Sequence, residues 1–227
     1  NNSRMIYLRS FLFEFLFYTL TVLIALVSRI GAIFHRPFPL ACGRAWDRST
    51  RILLRLVCGI SIEIRGHQNL PEGACIVACK HQSTLETVMF FSLLNTPVYT
   101  MKAELARLPL MGYSIRRAGS ISIERKAGAA ALRKLIKAAQ EAFEKDAQVL
   151  IFPEGTRTQP RTRGKFNPGA AAIYSRCDVP VIPVALNTGS FWARRTLRKN
   201  PGRVIIEFLP PIAPGMDRKP FQQLLQN

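Results

Sequence analysis

Acidic residues are scarce in this sequence, whose 227 residues include 14 Asp and Glu against 32 Lys and Arg, for a formal net charge of +18. That imbalance predicts an anionic partner, such as phospholipid, nucleic acid or a phosphorylated metabolite. Hydrophobic residues make up 48% of the chain, so a disordered basic tail is excluded. The sequence also lacks repeats and low-complexity segments, and its composition excludes collagen-like, coiled-coil and small disulfide-rich proteins. The length allows one sizeable domain with a small attachment.

A disulfide framework is not expected, because the five cysteines are an odd number in a chain long enough to bury a core. Cys75 and Cys79 lie in an apolar run close to His81. No second Cys or His pair has the spacing of zinc ligands, so we predict no metal site. We expect buried free thiols and therefore a reducing compartment.

Residues 11–27 are predominantly apolar, and Glu14 is their only charge. At about 1.5 Å per residue, a helix of this length is roughly 25 Å long, and extension to Phe34 would span a ~30 Å hydrocarbon core. The segment leaves no polar face for solvent, so a buried helix of a soluble domain is the less favoured alternative. A cleaved signal peptide fits poorly because Arg29 follows directly. We expect a membrane-associated helix that either spans the bilayer or embeds in it.

A second helix is predicted over residues 42–58, where four arginines at three- and four-residue steps share one face: Arg44, Arg48, Arg51 and Arg55. A basic amphipathic helix beside an apolar one is typical of a membrane-surface anchor that is attracted to anionic lipid. Basic residues flank both ends of the apolar helix, so the positive-inside rule does not orient it. We therefore assign residues 1–58 to membrane-anchoring helices and residues 59–227 to a separate domain.

From Ile60 onward, short apolar runs alternate with helical stretches. Strands are predicted at residues 61–65, 75–79, 98–101, 120–123, 149–152, 181–185 and 204–208. Helices are predicted at 84–94, 127–145 and 168–176, with a short one from Lys219. This alternation predicts an α/β domain with a largely parallel central sheet covered by helices. The active site of such a domain lies beyond the carboxyl ends of the strands.

The heptapeptide KHQSTLE at residues 80–86 directly follows a predicted strand. Ser83 followed three residues later by Glu86 is a capping box, which predicts a helix that starts at Ser83. His81 then lies in the loop before the helix, and the Glu86 carboxylate can point back at its imidazole. A carboxylate on Nδ1 fixes the tautomer and stabilises the imidazolium, so the pair suits a general base. The simpler alternative is a helix cap beside a loop histidine.

A second block, IFPEGTRT at residues 151–158, also follows a predicted strand. Pro153 ends strand pairing, Gly155 permits unusual backbone angles, and Thr156 can cap or donate a hydrogen bond. Exposed backbone N–H groups beside Arg157 are typical of a binding site for an anion or for the oxyanion of a reaction intermediate. The alternative interpretation is a simple turn without a binding role. Ten basic residues stand against a single acid within residues 157–203. Such a stretch of one sign favours phosphate binding over ordinary solvated charge.

Two further basic residues follow predicted strands. Arg125 ends the segment GSISIER at residues 119–125, and Lys102 comes directly after the strand at 98–101. Both are expected to face the proposed site at the carboxyl edge of the sheet. Taken alone, each is more often a surface charge than a ligand.

Four blocks in this order resemble the glycerolipid acyltransferases, a family that includes the lysophosphatidate acyltransferases. They are HQSTLE at 81–86, GSISIER at 119–125, FPEGTR at 152–157 and VPVIPVA at 179–185. The resemblance covers about residues 60–211, and the third block is highly specific. The family's usual first motif ends in Asp, whereas this chain has Glu86. Both residues are carboxylates, and a small shift of the helix accommodates the extra methylene of Glu. We therefore expect the catalytic pair, the dyad of His81 and Glu86, to be retained.

The resemblance implies transfer of a fatty acyl group from acyl-CoA or acyl carrier protein to the free sn-2 hydroxyl of lysophosphatidic acid or another lysolipid. His81 would remove the hydroxyl proton, Glu86 would orient His81, and no covalent acyl-enzyme, metal or redox cofactor is needed. The acceptor phosphate would be bound by Arg125 and Arg157, with help from Lys102. The acceptor pocket would be shaped by Glu154, Gly155 and Thr156.

The N-terminal helices resemble the membrane attachment of bacterial members, which implies a phospholipid membrane as partner and the cytoplasmic face of a bacterial inner membrane as location. Two other functions remain compatible with the sequence. A basic membrane-surface or nucleic-acid binder fits the charge, but aromatic residues are not interleaved with the basic loops as stacking platforms require, so no nucleic acid is expected. A hydrolase that uses the same dyad to activate water would release free fatty acid.

Overall fold

The computed structural model describes residues 2–35, 37–108, 112–124, 128–162 and 164–226. Two helices come first: α1 (Asn2–Phe34) and α2 (Phe38–Leu53), which continues into a π-helical turn (Leu54–Cys58). The sequence predicted helices at 11–27 and 42–58. The first begins earlier because residues 2–10 contain no Gly or Pro to stop a helix. The second begins earlier because Pro37 and Pro39 are tolerated at a helix start.

In the described residues, seven strands form one sheet: β1 (Ile60–Arg65), β2 (Cys75–Cys79), β3 (Pro97–Lys102), β4 (Ile121–Ile123), β5 (Gln148–Ile151), β6 (Val181–Leu186) and β7 (Gly202–Phe208). Their order is β1-β7-β6-β2-β5-β3-β4. Among the described strands, only β6 and β7 pair antiparallel. The predicted α/β fold with a largely parallel sheet is confirmed.

The remaining helices are α3 (Leu85–Leu93), α4 (Gly112–Arg117), α5 (Gly128–Phe143), α6 (Gly169–Tyr174) and α7 (Arg218–Gln226). Sequence reasoning missed α4, because six residues are too few for helical periodicity to show. The other four were predicted with slightly longer or shifted bounds, as expected for helix ends.

The two faces of the sheet bury two separate hydrophobic cores. Along β2, Cys75, Val77 and Cys79 point into one core, and Ile76 and Ala78 point into the other, as the period of two requires. The first core includes residues of α1, of the π-helical turn and of α3, with α2 packed against it, and the second includes residues of α5, α6 and α7. All residues of β2 and β5 are buried. The centre of the sheet therefore holds in place the loops that follow these strands at its carboxyl edge.

Most of α1 outside this packing is apolar and exposed. Its N-terminal half shares the first core through Phe13 and Phe17, while Leu8, Phe11 and Phe15 on the same helix are more than 60% exposed. By length and composition, α1 is also able to cross a membrane. An exposed apolar face of this extent is costly in water, so it indicates membrane association.

The arginine face of α2 is only partly free for lipid. Arg44 donates hydrogen bonds to the carbonyl oxygens of Phe91 and Asn95 at 3.3 and 3.0 Å. Arg51 donates from Nε to Asp47 Oδ1 at 2.8 Å. Two of the four arginines predicted to face anionic lipid therefore bind within the protein, while Arg48 and Arg55 are exposed.

Candidate active site

His81 lies in the loop between β2 and α3, at the carboxyl edge of the sheet. Its Nδ1 is 2.9 Å from Glu86 Oε1, and its side chain is 15% exposed while that of Glu86 is fully buried. The structure thus brings together the two residues that the sequence paired. With Nδ1 bound to the carboxylate, Nε2 is the ring nitrogen that can take a proton.

The Glu86 carboxylate interacts with four hydrogen-bonding groups. Besides His81, Oε1 accepts the backbone N–H groups of Gln82 and Ser83, both at 2.6 Å. Oε2 accepts the hydroxyl of Thr188 at 2.8 Å. A buried carboxylate needs such partners to offset its desolvation, and each of them also fixes the direction in which Oε1 faces the imidazole.

The capping box predicted at Ser83 is confirmed. Glu86 Oε1 accepts the Ser83 N–H, and Ser83 Oγ accepts the N–H of Leu85 at 3.2 Å, which are the two reciprocal bonds of this motif. The α-helical residues begin at Leu85, with Thr84 in the N-cap position, one residue later than predicted, a difference that is usual at helix ends.

The second block supports the histidine from the other side. The Phe152 ring stacks on the His81 imidazole, with centroids 4.1 Å apart and 21° between the planes. Sequence reasoning did not single out Phe152, although its place directly after β5, the neighbour of β2, was a usable signal. This stack restricts rotation of the imidazole about its Cβ–Cγ bond.

Glu154 is buried and binds the backbone of the histidine loop. Its Oε2 accepts the His81 N–H at 2.9 Å, and its Oε1 lies 3.3 Å from Lys80 Nζ. Thr158 donates its N–H to His81 O at 2.8 Å and its hydroxyl to Glu154 Oε1 at 3.1 Å. The two blocks are therefore joined directly, with Glu154 as the main link. Gly155 next to it adopts a φ of +64°, which glycine tolerates best.

A cavity of about 660 Å³ opens beside His81. Of the residues predicted for substrate binding, Lys102, Gly155, Thr156 and Arg157 line it. Arg125 lies outside the described residues. Leu132, Leu135 and Ile151 form part of an apolar wall, so the cavity offers both cationic and hydrocarbon-like surface.

Arg157 is half-buried, and this burial lowers the pKa of its guanidinium, while the nearby Glu86 carboxylate acts in the opposite direction. A guanidinium remains charged after such a change because its ordinary pKa is above 12. Arg194, which the sequence marked only as part of a basic stretch, also lines the cavity. Its position could not be read from spacing, because the loop that carries it has no recognised motif.

Thr188 and Gln82 were also missed. Thr188 follows the carboxyl end of β6, the other neighbour of β2, and Gln82 Oε1 accepts the N–H of Gly189 at 3.1 Å. The signal was the position of Thr188 three residues beyond the strand predicted at 181–185. Within the described residues, no group of three or more His, Cys, Asp or Glu could hold a metal ion.

The sequence profile of the family described as "Acyltransferase" matches residues 61–187, more than half of the chain. This chain belongs to the acyltransferase family. The match begins in β1 and ends one residue after β6, so it includes His81, Glu86 and the block at 151–158.

Curated relatives share much of this length. A 1-acyl-sn-glycerol-3-phosphate acyltransferase of Pseudomonas aeruginosa is 37% identical over 183 residues, which are 80% of this chain and 71% of that protein. A 1-acyl-sn-glycerol-3-phosphate acyltransferase alpha of Mus musculus is 31% identical over 170 residues, 72% of this chain. The matched part spans only 60% of the mouse protein.

The fold also matches a solved structure. The crystal structure of the 1-acyl-sn-glycerophosphate (LPA) acyltransferase from Thermotoga maritima superposes with a TM-score of 0.77, covering 96% of this chain and 94% of that one. The identity is 21%, so this likeness concerns the fold. Because it covers nearly the whole chain, it includes the N-terminal helices as well as the sheet.

Proposed function

We propose that this acyltransferase moves a fatty acyl group from acyl-CoA or acyl carrier protein to the sn-2 hydroxyl of lysophosphatidic acid, giving phosphatidic acid. The observation that carries the proposal is the 2.9 Å contact between His81 Nδ1 and the buried Glu86 carboxylate at the edge of the cavity. The names of the bacterial and mouse relatives supply the acceptor.

In the proposed reaction, His81 Nε2 takes the proton of the acceptor hydroxyl as its oxygen attacks the thioester carbonyl. Glu86 stabilises the imidazolium that forms, because the Nδ1 proton stays in the bond between the two side chains. Collapse of the tetrahedral intermediate expels the thiolate of the donor, which takes the proton from Nε2 and regenerates neutral His81. Ser83 takes no part as a nucleophile, since its hydroxyl is buried and binds the start of α3.

The cations at the cavity suit the acceptor phosphate. Arg157 and Lys102 line the same cavity as His81, and a guanidinium binds phosphate with two parallel hydrogen bonds. Arg125 is proposed for the same role from its motif. Gly155 and Thr156 form part of the wall beside these cations, and Glu154 acts behind it by holding the backbone of His81.

The position of α1 suits a lipid substrate. Tyr18 on its exposed face lies near Arg157. An acceptor held in the bilayer beside α1 would therefore have its headgroup near the cations. We propose that the protein works at the cytoplasmic face of a bacterial inner membrane, where acyl-CoA and acyl carrier protein are available.

The first prediction concerns the dyad. His81→Ala and Glu86→Gln are expected to lower the rate of phosphatidic acid formation by ~10² or more, in line with the usual contribution of a general base. The measurement is conversion of lysophosphatidic acid with an acyl-CoA donor in mixed micelles. His35→Ala is the matched control, because His35 is exposed on the chain between α1 and α2 and should keep the wild-type rate.

A wild-type rate in His81→Ala would overturn the mechanism. If wild-type protein releases free fatty acid and forms no phosphatidic acid, the protein is a hydrolase. Turnover of several lysolipids in parallel identifies a different acceptor, because the preferred one then has the highest kcat/KM.

A further inference from the structure

Arg194 is held against the second sequence block. It lines the cavity together with His81 and Arg157. Its Nη1 donates a hydrogen bond to the carbonyl oxygen of Arg157 at 3.2 Å and to the hydroxyl of Thr156 at 3.4 Å. A guanidinium has five N–H donors, so most of those of Arg194 remain available to a ligand in the cavity.

The side chains of Arg157 and Arg194 thus lie near each other at the same cavity. Burial is the main cause of the lowered pKa of Arg157; the Glu86 carboxylate opposes it, and the charge of Arg194 adds a smaller lowering effect. Within the described parts of the chain, neither side chain has an acidic partner at ion-pair distance. Like charges at a partly buried site repel, and an anion that bridges both of them would offset that repulsion.

The segment that carries Arg194 is fixed at both ends. At its start, Thr188 donates to Glu86, and at its end Lys199 is an ion-pair partner of Glu14 on α1. The Lys199 N–H also binds Ser10 Oγ at 2.9 Å. Arg194 is exposed, but the segment that carries it is anchored to Glu86 and to α1. A side chain on an anchored segment can bind a ligand with defined geometry.

We propose that Arg194 is a second guanidinium, beside Arg157, for the phosphate monoester of a substrate. The proposal rests on the proposed function, and it assigns this phosphate to the lipid acceptor. In lysophosphatidic acid the reacting hydroxyl and the phosphate are on adjacent glycerol carbons, so the phosphate must lie within a few ångströms of the group that His81 deprotonates. The 3′-phosphate of CoA has the same chemistry and is distinguished by the experiment.

The second prediction is a shift in acceptor KM. Arg194→Ala and Arg194→Gln should each raise the KM for lysophosphatidic acid about tenfold or more, as expected for a lost charge-assisted hydrogen bond, with a smaller change in kcat. Arg195→Ala is the matched control, since Arg195 is the exposed neighbouring arginine. It should change KM less than twofold. With monoacylglycerol, which lacks the phosphate, wild type and Arg194→Ala should have the same low activity.

The glutamine variant separates binding from a structural role, because its amide can still donate to the carbonyl of Arg157. A wild-type KM in Arg194→Gln, an unchanged KM in Arg194→Ala, or an equal loss with monoacylglycerol would each overturn the proposal. A rise confined to the KM for acyl-CoA, absent with a 3′-dephospho-CoA thioester, would overturn the assignment to the acceptor. If wild-type protein forms phosphatidic acid while Arg194→Ala equals it, this inference fails and the proposed function stands.

Discussion

At the scale of single residues, the site is organised around Glu86 more than around His81. The carboxylate receives two main-chain N–H groups, one hydroxyl and the imidazole. These donors come from the histidine loop and from the chain after β6, so two distant parts of the chain meet at one side chain of α3. The hydrogen bond to Glu86 and the stack on the Phe152 ring together set the orientation of the imidazole.

The third prediction tests the hydroxyl of Thr188. Thr188→Val keeps the shape but leaves Glu86 Oε2 without its donor at 2.8 Å. Since a hydrogen bond to a charged group is worth about 1.5–3 kcal/mol, the free energy of unfolding should fall by about 2 kcal/mol. We expect kcat to fall about tenfold with little change in KM, because the altered group does not touch substrate.

Thr188→Ser is the control, because it retains the hydroxyl. It should recover most of the wild-type kcat in the same micelle assay. Equal kcat values for the valine variant and wild type would show that Thr188 does not position the dyad.

At the scale of secondary-structure elements, α1 is attached to the sheet domain by more than apolar packing. Glu14, the one charge in its apolar stretch, forms an ion pair with Lys199, whose side chain is fully buried. Lys199 Nζ also donates to Leu197 O at 2.9 Å and lies 5.4 Å from the centroid of the Trp192 ring. The same ring packs edge-on against Phe13 and Phe17 of α1.

The fourth prediction concerns this ion pair. Glu14→Gln leaves the Lys199 ammonium buried without its counter-charge, which should lower the free energy of unfolding by about 3–5 kcal/mol. Urea unfolding in detergent micelles measures it. Glu141→Gln is the control, because the Lys137–Glu141 pair on α5 is exposed and 4.0 Å apart. A pair of that kind contributes ~0–1 kcal/mol.

The double variant Glu14→Gln with Lys199→Met removes both charges. It should be more stable than Glu14→Gln alone, since the unpaired buried charge is gone. If Glu14→Gln and Glu141→Gln unfold at the same urea concentration, the ion pair does not hold α1 to the sheet domain.

At the scale of the whole molecule, the cysteines show that the core is shielded from solvent. Four of the five free thiols are buried, and Cys177 is half-buried. Burial raises the pKa of Cys75 to about 12 and that of Cys58 to about 11, from an ordinary value of 9.0. Burial also raises the pKa of Cys79, on β2, well above its ordinary range.

The fifth prediction is a loss of stability in alkali. The native state retains these thiol protons, while the unfolded chain releases them near pH 9, so the folded state binds more protons between about pH 9 and pH 12. Stability should therefore be full below pH 9 and fall as pH rises through that window. Urea midpoints at pH 8 and pH 10.5 measure the fall, which should be smaller in Cys75→Ala. An identical fall in both proteins would contradict the linkage.

The sequence by itself determined the strands, the membrane-associated helix and the pairing of His81 with Glu86. Strands β2 and β5 are short, buried runs in which Gln148 is the single polar residue, and the two catalytic candidates are five residues apart, so local pattern was enough. The block at 151–158 was found for the same reason, because its signal is contiguous.

Only the tertiary structure decided which distant residues complete the site. Thr188 is 102 positions from Glu86, and Lys199 is 185 positions from Glu14. No periodicity or spacing encodes such contacts, because they depend on which elements far apart in the chain become neighbours. The order β6-β2-β5 sets the loops after these strands side by side, and this adjacency brings Thr188, His81 and Phe152 together at one edge of the sheet.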